Sequence, residues 1–332
     1  MNIPNSRNRF LIANQNQKSM KSYPPIMRNL ITTLSGTGVA LVTPFSADMT
    51  VDEPALARVI EYVIAGGVEY IVTLGTTGET PTLSRDEKIG IARFTINVVN
   101  RRVPVVIGAG GSDTREVIRE IEKLPTDQAV AILSASPYYS KPSQEGIYQH
   151  YKAIASASPI PVLLYNVPGR TARNVDASTI LRLAELPNIK GIKEAGGDIA
   201  QCALILRDRP DDFLIVSGDD ALAFPQIAMG MDGVISVAAN SYPQAFSNMV
   251  RAALDGDFKK AKKLNDGLIE GYELLFAENN PAGVKAALAE LGLIENVVRL
   301  PLVPLSKVYH DKLQKYLLSL TPNAKRLTPS NA

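Results

Sequence analysis

Residues 161–195 read "PVLLYNVPGRTARNVDASTILRLAELPNIKGIKEA", and this stretch holds the pattern that decides the fold. Two runs rich in Val, Ile and Leu stand at its ends, and an amphipathic helical stretch separates them. Continuous apolar runs of this kind are typical of strands that are buried on both faces, which are parallel strands covered by helices. The stretch therefore predicts one strand–helix–strand unit.

The same unit recurs along most of the chain. Its eight apolar runs are "GVALVTPF" (38–45), "YIVTLGTTGE" (70–79), "PVVIGAGG" (104–111), "AVAILSASPYY" (129–139), "PVLLYNVPGRT" (161–171), "IKGIKEA" (189–195), "FLIVSGDD" (213–220) and "GVISVAAN" (233–240). Eight units predict an α/β fold, the (β/α)8 TIM barrel. The alternative is a doubly wound open sheet, which usually has fewer strands and often a GxGxxG turn, and that turn is absent from this sequence.

The two ends of the chain differ from the barrel. After residue 240 the pattern is wholly helical, so we expect the barrel core at 36–240, closing and additional C-terminal helices at 241–320 and a solvated tail at 321–332. The first acidic residue is Asp48, and Arg, Lys, Ser and Asn are common before it. We expect a disordered leader at 1–35, or a start at Met20 or Met27; the alternative is an organelle-targeting peptide.

Composition excludes several function classes. The formal net charge is +2 with both signs scattered, which gives no footprint for nucleic acid or a membrane surface. No apolar run reaches the roughly 18 residues of a membrane span. The single cysteine, Cys202, excludes an internal disulfide and fits a reducing compartment. With only two histidines, His150 and His310, we expect neither a zinc site nor a serine-hydrolase triad.

The sixth apolar run contains a lysine, Lys193. Burial of a charged side chain costs about 3 kcal/mol or more unless the charge is paired or the group is neutral. Alternation along a strand directs Glu194 to the opposite face, and Tyr165 lies on the neighbouring strand. Burial favours the neutral amine, which is a nucleophile towards carbonyl carbon, so we expect Lys193 to form a Schiff base. The alternative is a lysine neutralised by a carboxylate inside the barrel.

Hydroxyl groups at the other strand ends suit imine chemistry, which needs a proton relay. Tyr165 and Thr76 could supply the relay, and Tyr139 could pass protons to solvent. "GTTGE" (75–79) reads either as a tight strand-to-helix turn or as a cradle of backbone N–H groups for an anion.

The motifs "GVALVTPF", "GTTGE", "PYYSKPSQEG", "YNVPGRT", "GIKEA" and "SGDD" together resemble the dihydrodipicolinate synthase family of pyruvate-dependent class I aldolases. The likeness runs in register from about residue 36 to residue 305. It implies a lyase that condenses pyruvate with L-aspartate-4-semialdehyde in lysine (diaminopimelate) biosynthesis. It further implies a cytoplasmic homotetramer, a dimer of dimers, that needs no cofactor and no metal. Membrane and nucleic-acid partners are not expected.

The resemblance also implies roles for single residues. Lys193 matches the lysine that condenses with pyruvate, Tyr165 the proton-shuttling tyrosine and Thr76 the relay threonine. Tyr139 matches a tyrosine that reaches into the active site of the adjacent subunit. The positions that match substrate-binding residues are Thr77 for the pyruvate carboxylate, Arg170 for the carboxylate of the semialdehyde, and Gly218 and Ile235 lining the site.

Two questions stay open at this point. Other members of the superfamily, the sugar-acid aldolases and N-acetylneuraminate lyases, use the same imine, and a non-catalytic barrel that binds keto acids is a further alternative. The arginine at 170 favours a small anionic aldehyde, because guanidinium binds a carboxylate in bidentate fashion.

The resemblance also implies a possible lysine effector site at Thr80, Lys88, Ser112, Glu116 and Tyr138. Ser112 stands where an asparagine usually contacts the effector, and Lys88 stands where sensitive enzymes often have histidine. A cation at Lys88 repels a lysine effector, so we expect weak or absent inhibition by lysine.

Overall fold

The computed structural model describes residues 29–320, and its centre is a closed barrel of eight parallel strands. Each strand pairs with the next along the chain, and the eighth pairs with the first. The strands are β1 (Gly36–Ala40), β2 (Tyr70–Thr73), β3 (Val105–Gly108), β4 (Ala131–Ala135), β5 (Val162–Asn166), β6 (Ile189–Glu194), β7 (Leu214–Ser217) and β8 (Gly233–Ser236). The predicted (β/α)8 barrel is confirmed, and the open-sheet alternative is excluded.

Helices follow the strands and continue beyond the barrel. The α-helices are α1 (Leu30–Leu34), α2 (Glu53–Ala65), α3 (Arg85–Val99), α4 (Thr114–Ile121), α5 (Gln144–Ala157), α6 (Pro168–Thr171), α7 (Ala177–Ala184), α8 (Ile199–Asp208), α9 (Ala223–Ala228), α10 (Pro243–Leu254), α11 (Phe258–Asp266), α12 (Ile269–Phe276), α13 (Ala282–Glu290) and α14 (Lys307–Leu320). Short 3-10 helices lie at Thr76–Gly78, Thr80–Thr82, Thr126–Gln128 and Ala238–Asn240. Among residues 29–320, no helix is both long and apolar enough to cross a membrane.

Local sequence signals explain where several of these helices begin. The N-cap side chains of Asp52, Ser84 and Asp198 accept hydrogen bonds from the first turns of α2, α3 and α8. At α3 the bond is reciprocal, because Glu87 accepts from the backbone N–H of Ser84. Such caps satisfy N–H groups that have no partner within the helix.

The buried apolar residues form two clusters, one on each side of the strands. The larger cluster packs the outer strand faces against the helices. The smaller one fills the barrel lumen and includes Tyr70, Leu163, Leu214 and Ile235. Tyr70 fits only because β1 carries Gly38 opposite it, since a Cβ there would lie 2.2 Å from the tyrosine ring.

The apolar runs of the sequence extend past the ends of the strands. Thus β2 ends at Thr73, and the rest of the run 70–79 forms a loop and the 3-10 helix Thr76–Gly78. The Gly- and Thr-rich ends of the runs favour turns, so each run contains a short strand together with the loop that follows it. These loops gather at the C-terminal end of the barrel.

The predicted leader at 1–35 is wrong for its last residues. Leu30–Leu34 form α1, whose N-cap is Asn29, and Leu30 and Leu34 are buried in the lumen cluster. Residues four apart lie on one face of a helix, so both leucines can close the N-terminal end of the barrel. Ser35 ties this end to the loop before β8, because its Oγ donates to the carbonyl of Asp232 at 2.8 Å. The rest of the leader, 1–28, and the tail, 321–332, lie outside the described residues.

Candidate active site

A cavity of about 420 Å³ opens at the C-terminal ends of the strands. Seven of the residues predicted to form the catalytic and substrate-binding site line it: Thr76, Thr77, Tyr165, Arg170, Lys193, Gly218 and Ile235. They come from five different strands or the loops that follow them, so only barrel closure brings them together. The location agrees with the rule that active sites of such barrels lie at this end.

Lys193 is the centre of the cavity. It lies on β6 directly opposite Tyr165 on β5, and its Nζ is 4.4 Å from the centre of the tyrosine ring. The lysine is only 5% exposed, yet within residues 29–320 it forms no salt bridge. No carboxylate of this part of the chain lies within salt-bridge distance of its amine, and the charge of Lys193 only partly offsets the rise in the pKa of the buried Asp220 carboxyl. An amine that is buried, unpaired and open to a cavity is suited to attack a carbonyl.

Gly218 makes room for this lysine. A Cβ at Gly218 would lie 3.0 Å from Cε and 3.1 Å from Cγ of Lys193, and 2.6 Å from Cβ of Ala195. Its backbone N–H donates to the carbonyl of Glu194 at 2.7 Å, which holds the loop after β7 against β6. Glycine at this position lets the backbone approach the lysine stem closely.

The turn after β2 carries the two threonines. Thr76 and Thr77 begin the 3-10 helix Thr76–Gly78, and the first N–H groups of a helix have no partner within it. The hydroxyl of Thr77 accepts a hydrogen bond from Asn280 Nδ2 at 3.0 Å. Thr43 holds the turn from below, since its hydroxyl donates to the carbonyl of Gly78 at 2.8 Å. The geometry suits the anion cradle expected for "GTTGE".

Arg170 lies at the mouth of the cavity on the single-turn helix α6. Its side chain is exposed, and it forms no salt bridge to the part of the chain that the structure describes. A guanidinium without a salt bridge that lines the same cavity as a buried amine can receive a carboxylate from solvent.

Tyr139 does not line the cavity of its own chain. It is 93% exposed and has a left-handed backbone with φ of 67°. The structure thus brings seven of the eight predicted residues together and leaves the eighth on the surface.

Sequence reasoning missed the side of the cavity that the C-terminal helices supply. The cavity is lined by Phe276, the last residue of α12, and by Glu278, Asn279 and Asn280, which lie between α12 and α13. The polar stretch "AENNP" between two helical patterns was the available signal, but nothing in it indicates contact with the turn that follows β2, 203 residues away in sequence.

A second missed residue is Asp220, which is fully buried behind the cavity. Its Oδ2 accepts hydrogen bonds from the N–H groups of Val237 at 3.1 Å and Ala238 at 2.8 Å. Burial raises the pKa of this carboxyl to about 6. The carboxylate fixes the start of the 3-10 helix that follows β8.

The five possible effector residues make contacts of their own. Ser112 Oγ donates to the carbonyl of Tyr138 at 2.7 Å, and Thr80 Oγ1 donates to the carbonyl of Gly75 at 2.7 Å. Lys88 pairs with Glu120 at 2.9 Å. The fifth residue, Glu116, pairs with Arg85 at 3.4 Å and also with Arg119. These contacts join only Ser112 and Tyr138 directly to each other.

No three His, Cys, Asp or Glu side chains between residues 29 and 320 are grouped so that they could hold a metal ion. The cavity is instead lined by a lysine amine without a salt bridge beside a tyrosine ring, a threonine turn suited to an anion and an exposed arginine. A (β/α)8 barrel with this arrangement at its C-terminal end has the construction of a Schiff-base aldolase.

Comparison with known proteins places the chain more narrowly. The model of the dihydrodipicolinate synthetase family matches residues 33–320. The 4-hydroxy-tetrahydrodipicolinate synthase of Flavobacterium psychrophilum is 49% identical over 287 residues, which are 86% of this chain and 98% of that protein. The enzyme of the same name from Parabacteroides distasonis is 49% identical over 292 residues, 87% of this chain and 97% of that protein.

Solved structures agree. The dihydrodipicolinate synthase of Acinetobacter baumannii complexed with pyruvate has a TM-score of 0.84 at 43% identity, covering 86% of this chain and 98% of that one. The enzyme of Cyanidioschyzon merolae with lysine bound has a TM-score of 0.84 at 35% identity, covering 86% and 98%. The chain belongs to the dihydrodipicolinate synthetase family.

Proposed function

We propose that this chain is a lyase that condenses pyruvate with L-aspartate-4-semialdehyde to give 4-hydroxy-tetrahydrodipicolinate, a step of lysine biosynthesis. The observation that carries the proposal is the unpaired, buried amine of Lys193 opposite Tyr165 in a cavity entered past Arg170. The names of the relatives point to the same reaction.

The first half of the reaction joins pyruvate to the enzyme. Lys193 Nζ attacks the keto carbon of pyruvate, and the carbinolamine loses water to give an imine. Tyr165 and Thr76 hold and move the protons of this step, while the Thr76–Thr77 turn receives the pyruvate carboxylate. Loss of a methyl proton converts the imine to an enamine, whose carbon is the nucleophile.

The second half builds the ring. The enamine carbon attacks the aldehyde carbon of the semialdehyde, and the new alkoxide takes a proton from the relay. The amino group of the semialdehyde then attacks the imine carbon and displaces Lys193, which closes the six-membered ring and frees the lysine. One water is released in the whole sequence, at imine formation. The lysine leaves unchanged, so the chain needs no cofactor for this reaction.

Arg170 favours this aldehyde over a polyhydroxylated one. The exposed guanidinium at the cavity mouth offers a bidentate partner for the carboxylate of a short acid. A sugar-acid aldolase would instead need several hydroxyl-binding groups in the same place.

The remaining expectations concern assembly, location and control. We propose a homotetramer of two dimers in the cytoplasm, in which the exposed Tyr139 completes the proton relay in the cavity of the adjacent subunit. We propose the effector site at Thr80, Lys88, Ser112, Glu116 and Tyr138, with weak inhibition by lysine. The exposure of Tyr139 and Tyr138, two aromatic side chains side by side, supports an interface at this surface.

Borohydride reduction in the presence of pyruvate tests the proposal, followed by peptide mass mapping. We expect a stable pyruvate adduct on Lys193, its loss in Lys193→Ala, and its retention in the matched surface variant Lys152→Ala. Wild-type protein should then turn over L-aspartate-4-semialdehyde in preference to a panel of sugar aldehydes. An adduct without that turnover would favour another aldolase of the superfamily, and the absence of an adduct would favour a non-catalytic barrel.

A further inference from the structure

The faces of β6 do not follow simple alternation. Ile189 and Ile192 both pack into the outer cluster against the helices, although they are three residues apart. In a regular strand, side chains alternate, so residues three apart point to opposite faces. Regular alternation from Ile189 would direct Lys193 to the outside of the barrel, away from the cavity that it lines.

An extra residue in β6 changes the faces. Val162 of β5 pairs with Ile189, but the next residue, Leu163, pairs with Gly191, so Lys190 has no counterpart. One additional residue is a β-bulge, and a shift of one residue reverses the face of every side chain beyond it. Lys190 itself pairs with Asp212 at 2.6 Å on the surface.

Gly191 confirms the direction of the shift. A Cβ on Gly191 would lie 2.6 Å from the carbonyl oxygen of Leu214 and 3.1 Å from Cδ2 of Leu163, and both leucines belong to the lumen cluster. Gly191 therefore faces the lumen, and Lys193, two residues later, faces it too. The bulge is thus the feature that brings the lysine inside.

Beyond the bulge, one pair of side chains joins β5 and β6 directly after the predicted catalytic residues. Asn166 follows Tyr165, Glu194 follows Lys193, and the two are paired in register on the outer face. Nδ2 of Asn166 donates to both carboxylate oxygens of Glu194, at 3.1 and 3.0 Å. Both residues are buried, at 0% and 1% exposure. We call this pair the Asn166–Glu194 bridge.

The surroundings of the bridge require an acceptor at Glu194. Its Oε1 also accepts from the N–H of Gly196 at 2.6 Å, and its Oε2 accepts from Gln201 Nε2 at 3.3 Å. Asn166 is oriented in turn, since its Oδ1 accepts from the N–H of Val175 at 3.0 Å. A carboxylate is the side chain that accepts at both of its oxygens, whereas an amide would turn a donor against donors.

We propose that Glu194 is a positioning residue for the reaction: through Asn166 it holds β5 and β6 in the shifted register that keeps Lys193 in the lumen opposite Tyr165. This inference rests on the proposed function, because the rate that it controls is that of imine formation at Lys193. Glu194 touches neither substrate nor the reacting atoms. It acts through the backbone of β6, in which the residue before it, Lys193, is the proposed nucleophile.

The test measures how fast pyruvate forms a borohydride-trappable adduct on Lys193, per folded molecule. Glu194→Gln is expected to slow this rate by about tenfold or more, because a small misplacement of reacting groups has effects of that size. In the exchange variant Asn166→Asp/Glu194→Gln, donors again face acceptors once two neighbouring amides rotate by 180°. These are the amide of Asn174, which now accepts from Asn166 at 2.8 Å, and that of Gln201, which now donates to Glu194 at 3.3 Å. The exchange variant is expected to recover to within about threefold of wild type.

Asp232→Asn is the matched control. Asp232 is also a carboxylate with inward hydrogen bonds, since it accepts from the N–H of Ile215 at 2.9 Å and pairs with Arg209, but it lies at the opposite end of the barrel. It should lower thermal stability while the trapping rate stays within about twofold of wild type. If Glu194→Gln does not fold, Asn166→Ala takes its place with the same expected slowing.

Two results would overturn the inference: trapping at the wild-type rate in the single variant, or an exchange variant as slow as Glu194→Gln. A wild-type protein that forms no adduct at all would instead contradict the proposed function. The two failures are therefore distinguishable in one series of measurements.

Discussion

Two buried lysines, Lys193 on β6 and Lys285 on α13, stand in very different surroundings. Lys285 is 0% exposed and its Nζ contacts the carboxylate of Glu79, which is equally buried. The same Nζ donates to the carbonyl of Val297 at 2.9 Å and lies 4.0 Å from the centre of the Phe45 ring. Lys193, by contrast, has the ring of Tyr165 on one side and an open cavity on the other.

The difference separates an amine whose donors are engaged from one that is open to a cavity. Burial lowers the pKa of Lys285 to about 8, and the nearby carboxylate of Glu79 opposes that shift. Its donors are engaged, so the amine is not available to a substrate. Lys193 forms no salt bridge within residues 29–320, and its amine is open to a substrate in the cavity. Burial alone does not make a lysine a candidate nucleophile; burial without a salt bridge, beside a cavity, makes Lys193 one.

The structural lysine nevertheless serves the site indirectly. Glu79 follows the Thr76–Gly78 helix and has a left-handed backbone with φ of 55°. Its second oxygen, Oε2, accepts from the N–H of Arg299 at 2.9 Å. The ion pair thus ties the threonine turn to α13.

The largest expected effect comes from replacing Lys193, the proposed nucleophile. Lys193→Met should reduce turnover by at least about 10³-fold, because the covalent intermediate cannot form. Thermal stability should be unchanged or higher, because an unpaired buried amine is replaced by an apolar side chain. Turnover and thermal unfolding measured on one preparation check both parts. A large loss of stability would mean that Lys193 also has a structural partner.

The opposite pattern is expected for the other lysine. Lys285→Met should lower the free energy of unfolding by about 3–5 kcal/mol, because Glu79 is left charged and buried without its partner. Chemical denaturation measures this loss. The double variant Glu79→Gln/Lys285→Met, which removes both charges, should recover most of it. If the single and double variants are equally unstable, packing rather than charge explains the effect.

A third buried basic side chain, His150, extends the comparison to a group that is neutral. Nδ1 of His150 lies 2.8 Å from Oγ1 of Thr114, and burial lowers the pKa of this histidine to about 4. Between pH 6.5 and 4 the histidine binds a proton in the unfolded chain but stays neutral in the folded chain. The free energy of unfolding therefore falls as the pH drops through this range.

The contribution of His150 should reach about 3 kcal/mol at the acid end. It is isolated by subtracting the pH dependence of His150→Gln from that of wild type, since buried acids such as Asp220 change stability in the opposite sense. The difference between the two proteins should grow as the pH falls. A constant difference across this range would contradict a histidine that is held neutral.

The smallest effect is expected at a lysine that is neither fully buried nor reactive. Lys88 pairs with Glu120 while 17% of its side chain is exposed, so Lys88→Met should lower the free energy of unfolding by about 1–2 kcal/mol, between the values for exposed and fully buried pairs. Because its charge opposes a lysine effector, Lys88→His should strengthen inhibition by lysine relative to wild type. Inhibition assays compare the two proteins, and inhibition of wild type by low-micromolar lysine would contradict the weak inhibition that we expect.

The sequence by itself determined the barrel and most of the site. Apolar runs and helical spacing are local signals, and eight repeats leave few architectures open. The polar residues at the ends of the runs were equally visible, so Lys193, Tyr165 and Thr76 could be named before any fold was known. Their roles beyond lining one cavity stay predictions.

Only the tertiary structure decided what surrounds these residues. The face of Lys193 depends on a bulge opposite β5, and the acid of Lys285 lies 206 positions earlier in the chain, at Glu79. The helix at Leu30–Leu34 looked like part of a polar leader until the open end of the barrel gave its leucines a place to be buried. Periodicity is set by neighbours in sequence, whereas pairing, register and burial are set by neighbours in space, and those come from distant segments.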